Sequence, residues 1–238
     1  LDQHIRGSDV MKAVIFDLDG VITDTAEYHF LAWKRLADQL NIPFDRDFNE
    51  RLKGISRSES LDMILVHGHV SAKYSEEAKQ NLMDEKNRNY QQLIQTLTPD
   101  DLLPGIRQLL SELKHQQIKL ALASASRNAP TILECLEIMG DFHTIVDPET
   151  LANGKPDPEI FLTAAKQLGV SPIDCIGIED AEAGIASITS AGMFAVGVGN
   201  KQSMAAADLV VEETSDLSFA LLDKGMKQWR EKRNKIES

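Results

Sequence analysis

Two aspartates flanking a single leucine stand at the end of an apolar run, Val14-Ile15-Phe16-Asp17-Leu18-Asp19-Gly20, with Thr25 a few residues on. The run suits a strand buried on both faces of a parallel sheet. The acids come where such a strand leaves the sheet for the crevice in which open α/β sheets bind ligands. A carboxylate there is placed to react, whereas acids that only cap a helix or face water need no such pair. Three more polar sets lie farther along: Ser124-Ala125-Ser126-Arg127-Asn128, Lys155-Pro156 and Glu179-Asp180.

Collected around Asp17 and Asp19, these sets supply a hydroxyl, an ammonium and two further carboxylates. That inventory fits magnesium-assisted phosphoryl transfer, because Mg²⁺ is a hard cation that takes one or two carboxylates and completes its shell with phosphate and water oxygens. In this reading Asp17 attacks phosphorus and becomes an aspartyl phosphate. Its charge would repel a phosphate unless offset, so Mg²⁺ on Asp17 and Asp180, with Lys155 alongside, is an electrostatic requirement. Ser124 donates a hydrogen bond to a transferring oxygen, and Asp19 moves a proton on the substrate hydroxyl.

The elements that must position these groups follow from hydrophobic periodicity. Segments 25–40, 57–66 and 75–97 place apolar residues at helical spacing, as with Phe30, Trp33, Leu36, Ala37 and Leu40, and no strand pattern interrupts them. From Pro104 the pattern alternates: helix 105–116, strand 118–123, helix 128–138, strand 144–146, helix 158–169, strand 173–178, helix 181–191, strand 193–198. Alternation of this kind predicts a parallel sheet covered by helices on both faces. The fold expected is α/β, with a sheet core over 11–24 and 100–238 and an all-helical domain inserted at 25–99. An insertion emerging just after the two acids is expected to serve as a lid over the strand ends.

Of the 238 residues 42% are hydrophobic and 26% charged, which suits a soluble globular chain with one core or a core and a smaller lobe. The net charge of −12 argues against nucleic acid or an anionic membrane as partner, so a phosphorylated small molecule would need a local cationic pocket. Cys135 and Cys175 are expected to be reduced core thiols, which points to the cytoplasm. No apolar stretch reaches the length of a membrane span, and no charged-then-apolar leader opens the chain. Residues 1–10, with Gly7-Ser8 ahead of Met11, are expected to be an appended remnant outside the fold. A monomer is expected.

The four ordered motifs, Asp17-Leu18-Asp19-Gly20, Ser124, Lys155-Pro156 and Glu179-Asp180, resemble those of the haloacid dehalogenase superfamily. The second aspartate is similar to that of its phosphatases and phosphomutases rather than its dehalogenases. Over about residues 11–234 the resemblance extends to the β-phosphoglucomutase family. It is carried by Thr25-Ala26-Glu27-Tyr28-His29-Phe30-Leu31-Ala32-Trp33, Leu52-Lys53-Gly54-Ile55-Ser56-Arg57 and Ser124 to Asn128. The resemblance implies a Rossmann-like core with a helical cap, and an isomerase interconverting β-glucose 1-phosphate and glucose 6-phosphate through the 1,6-bisphosphate. It also implies Mg²⁺ on Asp17, the Asp19 carbonyl, Glu179 and Asp180, with Ser124 and Lys155 holding the transferring phosphoryl group. Gly54, Ile55 and Arg57, with Ala125, Ser126, Arg127 and Asn128, would hold the sugar and its second phosphate. Thr25, His29, Lys53 and Lys86 would join the substrate side, coupling cap closure to the readiness of Asp19; Trp33 is counted on that side too, although its helical spacing reads as core of the cap or its hinge. Arg127 stands where members of the family often carry Lys, keeping the charge but changing its geometry.

Arg57 favours a mutase over a phosphatase, because a bisphosphate that must present either end to Asp17 needs a cation for the end facing away. A phosphatase or a phosphosugar-binding protein without turnover are the alternative readings. Other patterns are read blandly: His67-Gly68-His69 as a solvated loop rather than a metal pair, Gly197-Val198-Gly199 as a tight turn, and Lys224–Lys235 as an exposed helix face.

Overall fold

The computed structural model describes residues 10–52 and 57–236. Lys53, Gly54 and Ile55, and residues 1–9 of the expected remnant, lie outside the described residues. The chain divides into two compact units, one holding the residues up to Asp24 and those from Thr98 onward, the other Thr25–Leu97.

In the first unit β1 (Ala13–Phe16) is followed, after the helical unit, by α5 (Ile106–His115), β2 (Lys119–Leu122), α6 (Ala129–Cys135), β3 (Thr144–Ile145) and α7 (Glu159–Leu168). Then come β4 (Cys175–Glu179), α8 (Glu182–Ser190), β5 (Phe194–Val198), β6 (Leu209–Val211) and α9 (Phe219–Ile236). Among the described residues the strands form one sheet in the order β3-β2-β1-β4-β5-β6, every neighbouring pair parallel. The order reverses at β1, and such a switch point opens a crevice at the carboxyl ends of the strands.

Register decides what reaches that crevice. Phe16 pairs with Leu122 on one side and Ile178 on the other. The ladder continues one step: the Asp17 amide donates to the Ile178 carbonyl at 3.0 Å and the Ala123 amide to the Phe16 carbonyl at 2.8 Å. Asp17, Ala123 and Glu179 thus form one row at the strand ends. Below them Ile15, Ala121, Phe161, Ile185, Ile188 and Ala195 pack β1, β2, β4 and β5 against α7 and α8. Burying side chains of the size of Phe161 or Ile188 stabilises by about 1.5–3 kcal/mol each, so the strand ends rest on a stiff base.

The second unit holds α1 (Ala26–Gln39), α2 (Arg46–Glu50), α3 (Arg57–His67) and α4 (Glu76–Ile94). Phe30, Trp33, Leu36 and Ala37 make the buried stripe of α1 and join Phe44, Phe48, Leu61, Ile64 and Leu65 in one core. The Ser75 hydroxyl caps α4 by accepting from the Ala78 amide at 3.2 Å. Two elements escaped the periodicity. Helix α2 is a short helix begun by Asp45, whose carboxylate accepts from the Phe48 amide at 2.8 Å, and β6 is a short edge strand. Neither is long enough to show a period. His67 and His69 are both exposed, and the His67 ring packs on Phe48 at 4.4 Å. No described helix is long and apolar enough to cross a membrane.

Candidate active site

After Phe16 the chain turns within a few residues: the Ile22 amide donates to the Leu18 carbonyl and the Gly20 amide to the Thr23 carbonyl, both at 2.8 Å. Gly20 adopts φ 74°, and a β-carbon there would lie 2.0 Å from Oδ2 of Asp180. Glycine is therefore required twice, for the left-handed backbone and for the approach of the carboxylate at the end of β4.

Lys155 enters from the loop before α7. Its Nζ donates to Oδ1 of Asp17 at 2.8 Å and to Oε1 of Glu179 at 2.5 Å. Oε2 of Glu179 accepts from the amides of Asp180 at 3.0 Å and Ala181 at 3.1 Å, where α8 begins. In this arrangement Glu179, 1% exposed, is the support of Lys155 and of the turn into α8. Asp17, Glu179 and Asp180 have ligand oxygens within 4.8 Å of one another, and this set of hard oxygen donors could hold a metal ion.

The electrostatics follow from that crowding. Burial, then the charge of Asp17, pushes Glu179 up to about 7 against the downward pull of Lys155. Asp180 keeps an edge in solvent, yet loss of hydration around its carboxyl and the charge of Asp17 raise it to about 6. Burial works to lower Lys155, but Asp17 and Glu179 outweigh it and hold the amine above its ordinary value, so it stays an ammonium. Three crowded carboxylates with one ammonium fit a divalent cation, which would relieve their repulsion.

Ser124, 4% exposed, stands two residues beyond β2. Its Oγ accepts from the Ser126 amide at 3.1 Å, and Oγ of Ser126 accepts from the Asn128 amide at 3.3 Å, winding the loop into α6. Accepting leaves the Ser124 hydroxyl its own proton to donate. Asn128 is buried, Ala125 is exposed, and the exposed Arg127 pairs with Oε1 of Glu149 at 2.8 Å. Asp19 sits half-buried in the turn after β1.

The helical unit gathers its own set. Thr25, His29 and Trp33 are spaced by four along α1, and Lys86 and Tyr90 by four along α4. Lys86 Nζ lies 3.0 Å from Nδ1 of His29 and 4.9 Å from the centroids of both Trp33 and Tyr90. Tyr90 stacks on His29 at 4.1 Å and donates its hydroxyl proton to Oγ1 of Thr25 at 3.1 Å. Burial, then the charges of Lys86 and Arg57, lower His29 to about 3. His29 is therefore neutral and accepts from the Lys86 ammonium. Trp33 is 4% exposed and belongs to the core of its unit. Arg57 Nη2 donates to Oδ1 of Asn87 at 3.1 Å. Sequence reasoning passed over Tyr90, although its place four residues after Lys86 was a usable signal.

A sequence profile of the haloacid dehalogenase-like hydrolases matches residues 11–192, and the chain belongs to this family. Within it the chain is 67% identical over 220 residues to "Beta-phosphoglucomutase" of Bacillus subtilis, covering 92% of this chain and 97% of that one. A crystal structure of β-phosphoglucomutase from Clostridium difficile superposes with a TM-score of 0.85 at 50% identity, covering 92% of this chain and 98% of the other. "Phosphorylated carbohydrates phosphatase" of Thermotoga maritima is 34% identical over 77% of this chain and 82% of its own length.

Proposed function

We propose that this protein is a β-phosphoglucomutase. It interconverts β-D-glucose 1-phosphate and D-glucose 6-phosphate through an aspartyl-phosphate enzyme and β-D-glucose 1,6-bisphosphate. The observation that carries the reading is 67% identity along nearly the whole of a β-phosphoglucomutase, since the fold alone is shared by many activities.

The roles follow from the side chains. An oxygen of Asp17 attacks phosphorus; the Asp–O–P bond forms as the phosphate ester bond breaks, and Asp19 gives its proton to the departing sugar oxygen. The donor in that step is the 1-position of the bisphosphate, so glucose 6-phosphate is released. In the return step Asp19 takes the proton of the 6-hydroxyl of an incoming β-glucose 1-phosphate, whose oxygen attacks the phosphoryl group on Asp17, re-forming the bisphosphate as the Asp–O–P bond breaks. Lys155, held against Asp17 and Glu179, offsets charge on the transferring group, and Ser124 donates to one of its oxygens. Bound Mg²⁺, with Asp17, Asp180 and the Asp19 carbonyl as ligands and Glu179 completing the set, would lower the repulsion between that group and the carboxylates.

Residues 25–99 are read as the cap. Arg57 anchors the non-reacting phosphate, with Lys53, Gly54 and Ile55 beside it in sequence and Ala125, Ser126, Arg127 and Asn128 contributed by the core. Thr25, His29, Lys53 and Lys86 tie the state of the cap to Asp19, and Trp33 supports them from the core of the helical unit. Cys135 and Cys175 are unpaired, which suits a reducing compartment, and the enzyme is read as cytoplasmic and monomeric.

The test is to supply β-glucose 1-phosphate, Mg²⁺ and a trace of the bisphosphate, and follow phosphorus species by NMR. Glucose 6-phosphate should accumulate without inorganic phosphate. The similarity to a carbohydrate-phosphate phosphatase supports a second reading, which inorganic phosphate as main product would establish in place of the first.

A further inference from the structure

The loop that carries Lys155 is fastened at both ends by side chains outside the residues assigned above. Upstream, Glu159 at the start of α7 turns its carboxylate back on the loop. Oε1 accepts from the Ala152 amide at 3.0 Å, and Oε2 from the Asn153 amide at 2.7 Å and the Asn153 side chain at 3.3 Å. Downstream, the Asp157 amide closes a turn onto the Gly154 carbonyl at 3.0 Å, and Oδ1 of Asp157 accepts from the Glu159 amide at 2.9 Å. The Asp157 carbonyl in turn accepts from the fully buried Ser187 hydroxyl at 2.6 Å. Ser187 lies on α8, the helix that begins directly behind Glu179 and Asp180. Lys155 is thus presented from a segment referenced to the same helix as its carboxylate partner.

We propose that Glu159 is a positioning residue for the phosphoryl-transfer step: by bracketing the amides of Ala152 and Asn153 it fixes the backbone from which the Lys155 ammonium reaches Asp17 and Glu179. A lysine side chain has four rotatable bonds, and its tip is placed well only if its backbone is held; misplacement by about 1 Å costs on the order of a hundredfold in rate. The bracket is ionic, because the two amide bonds hold the Glu159 carboxyl below its usual value.

The inference rests on the mutase reading, and two readouts keep the two apart. Glu159→Ala should lower kcat by about tenfold or more while KM for β-glucose 1-phosphate stays within about threefold. In the metal-free protein it should also raise the rate at which an amine-acylating reagent labels Lys155, followed by peptide mass spectrometry, several-fold above wild type. Glu159→Gln keeps one oxygen acceptor and should fall between the two on both measures; if the alanine variant does not fold, the glutamine variant decides on the same readouts. Unchanged Lys155 labelling, unchanged kcat, or a loss confined to KM would overturn the proposal. If wild type makes no glucose 6-phosphate, the mutase reading falls while the labelling still tests the bracket.

Discussion

A β-carbon added to Gly184 would fall 2.0 Å from Oε1 of Glu179 and 1.9 Å from its Cδ. The Glu179 side chain therefore lies flush on the first turn of α8, and only glycine leaves it room. That contact sends Oε1 to Lys155 and Oε2 to the amides of Asp180 and Ala181.

Gly184→Ala should accordingly displace Glu179 and loosen Lys155. Forcing a methyl into a filled site costs typically about 1–3 kcal/mol, and here turnover should drop as well. Thermal unfolding and the mutase assay measure both. Wild-type activity in the alanine variant would show that the seat of Glu179 does not govern Lys155.

The two aspartates should separate by role. Asp17→Asn is expected to abolish phosphoryl transfer and incorporation of phosphate into the protein. Asp19→Asn should still bind substrate and Mg²⁺ but turn over slowly, by about a hundredfold or more, as expected for loss of a general acid. Calorimetric binding with steady-state rates decides it; near-normal turnover in Asp19→Asn would remove that residue from the proton-transfer role.

Metal and pH should be linked. Without metal, burial and the charge of Asp17 raise Glu179 to about 7 and Asp180 to about 6. Unfolded carboxyls titrate near about 4, so across about pH 4–7 the folded chain binds more protons than the unfolded one. This contribution to stability is complete below that window and lost as pH rises through it. Mg²⁺ binds the ionised groups, so the rise in Tm that it produces should grow from about pH 5 to about pH 8. A rise independent of pH would argue against these carboxylates as the site.

His29 should behave in the opposite sense. Burial, then Lys86 and Arg57, lowers it to about 3, below the value of about 6.5 in an unfolded chain. Its contribution to stability is therefore present above about pH 6.5 and lost as pH falls towards 3. Proton NMR should show no titration of its ring between about pH 5 and 8, and His29→Gln should flatten the acid-side decline in Tm. A midpoint near 6.5 would mean that Lys86 does not donate to His29.

Much was legible in the chain because chemistry and periodicity coincide there. An apolar run that stops at Asp17, and another that stops at Glu179-Asp180, read as strand ends, and the alternation after Pro104 read as a parallel sheet, which the β3-β2-β1-β4-β5-β6 order confirms. The short α2 and β6 were invisible because a few residues carry no period. Tyr90 went unread within the helical segment 75–97: its spacing from Lys86 was visible, but its partner Thr25 lies 65 residues away in the chain.

The sequence by itself determined which groups are available: a hydroxyl, an ammonium and several carboxylates, with Asp17, Ser124 and Glu179-Asp180 at the ends of apolar runs and Lys155 in the loop ahead of α7. Residue type and spacing suffice for that, since hydrophobic pattern sets the elements and the polar residues fall where they end. Only the tertiary structure decided which groups meet. Strand order and register put Asp17 and Glu179 in one row, glycines at 20 and 184 let two carboxylates close in, and Glu159 and Ser187 hold the loop from which Lys155 reaches across. The pairings of Asp17 with Glu179, Gly20 with Asp180 and Ser187 with Asp157 join residues far apart in the chain, and even the nearer ones, Glu159 with Asn153 and Gly184 with Glu179, depend on how the side chains pack, which no hydrophobic period encodes.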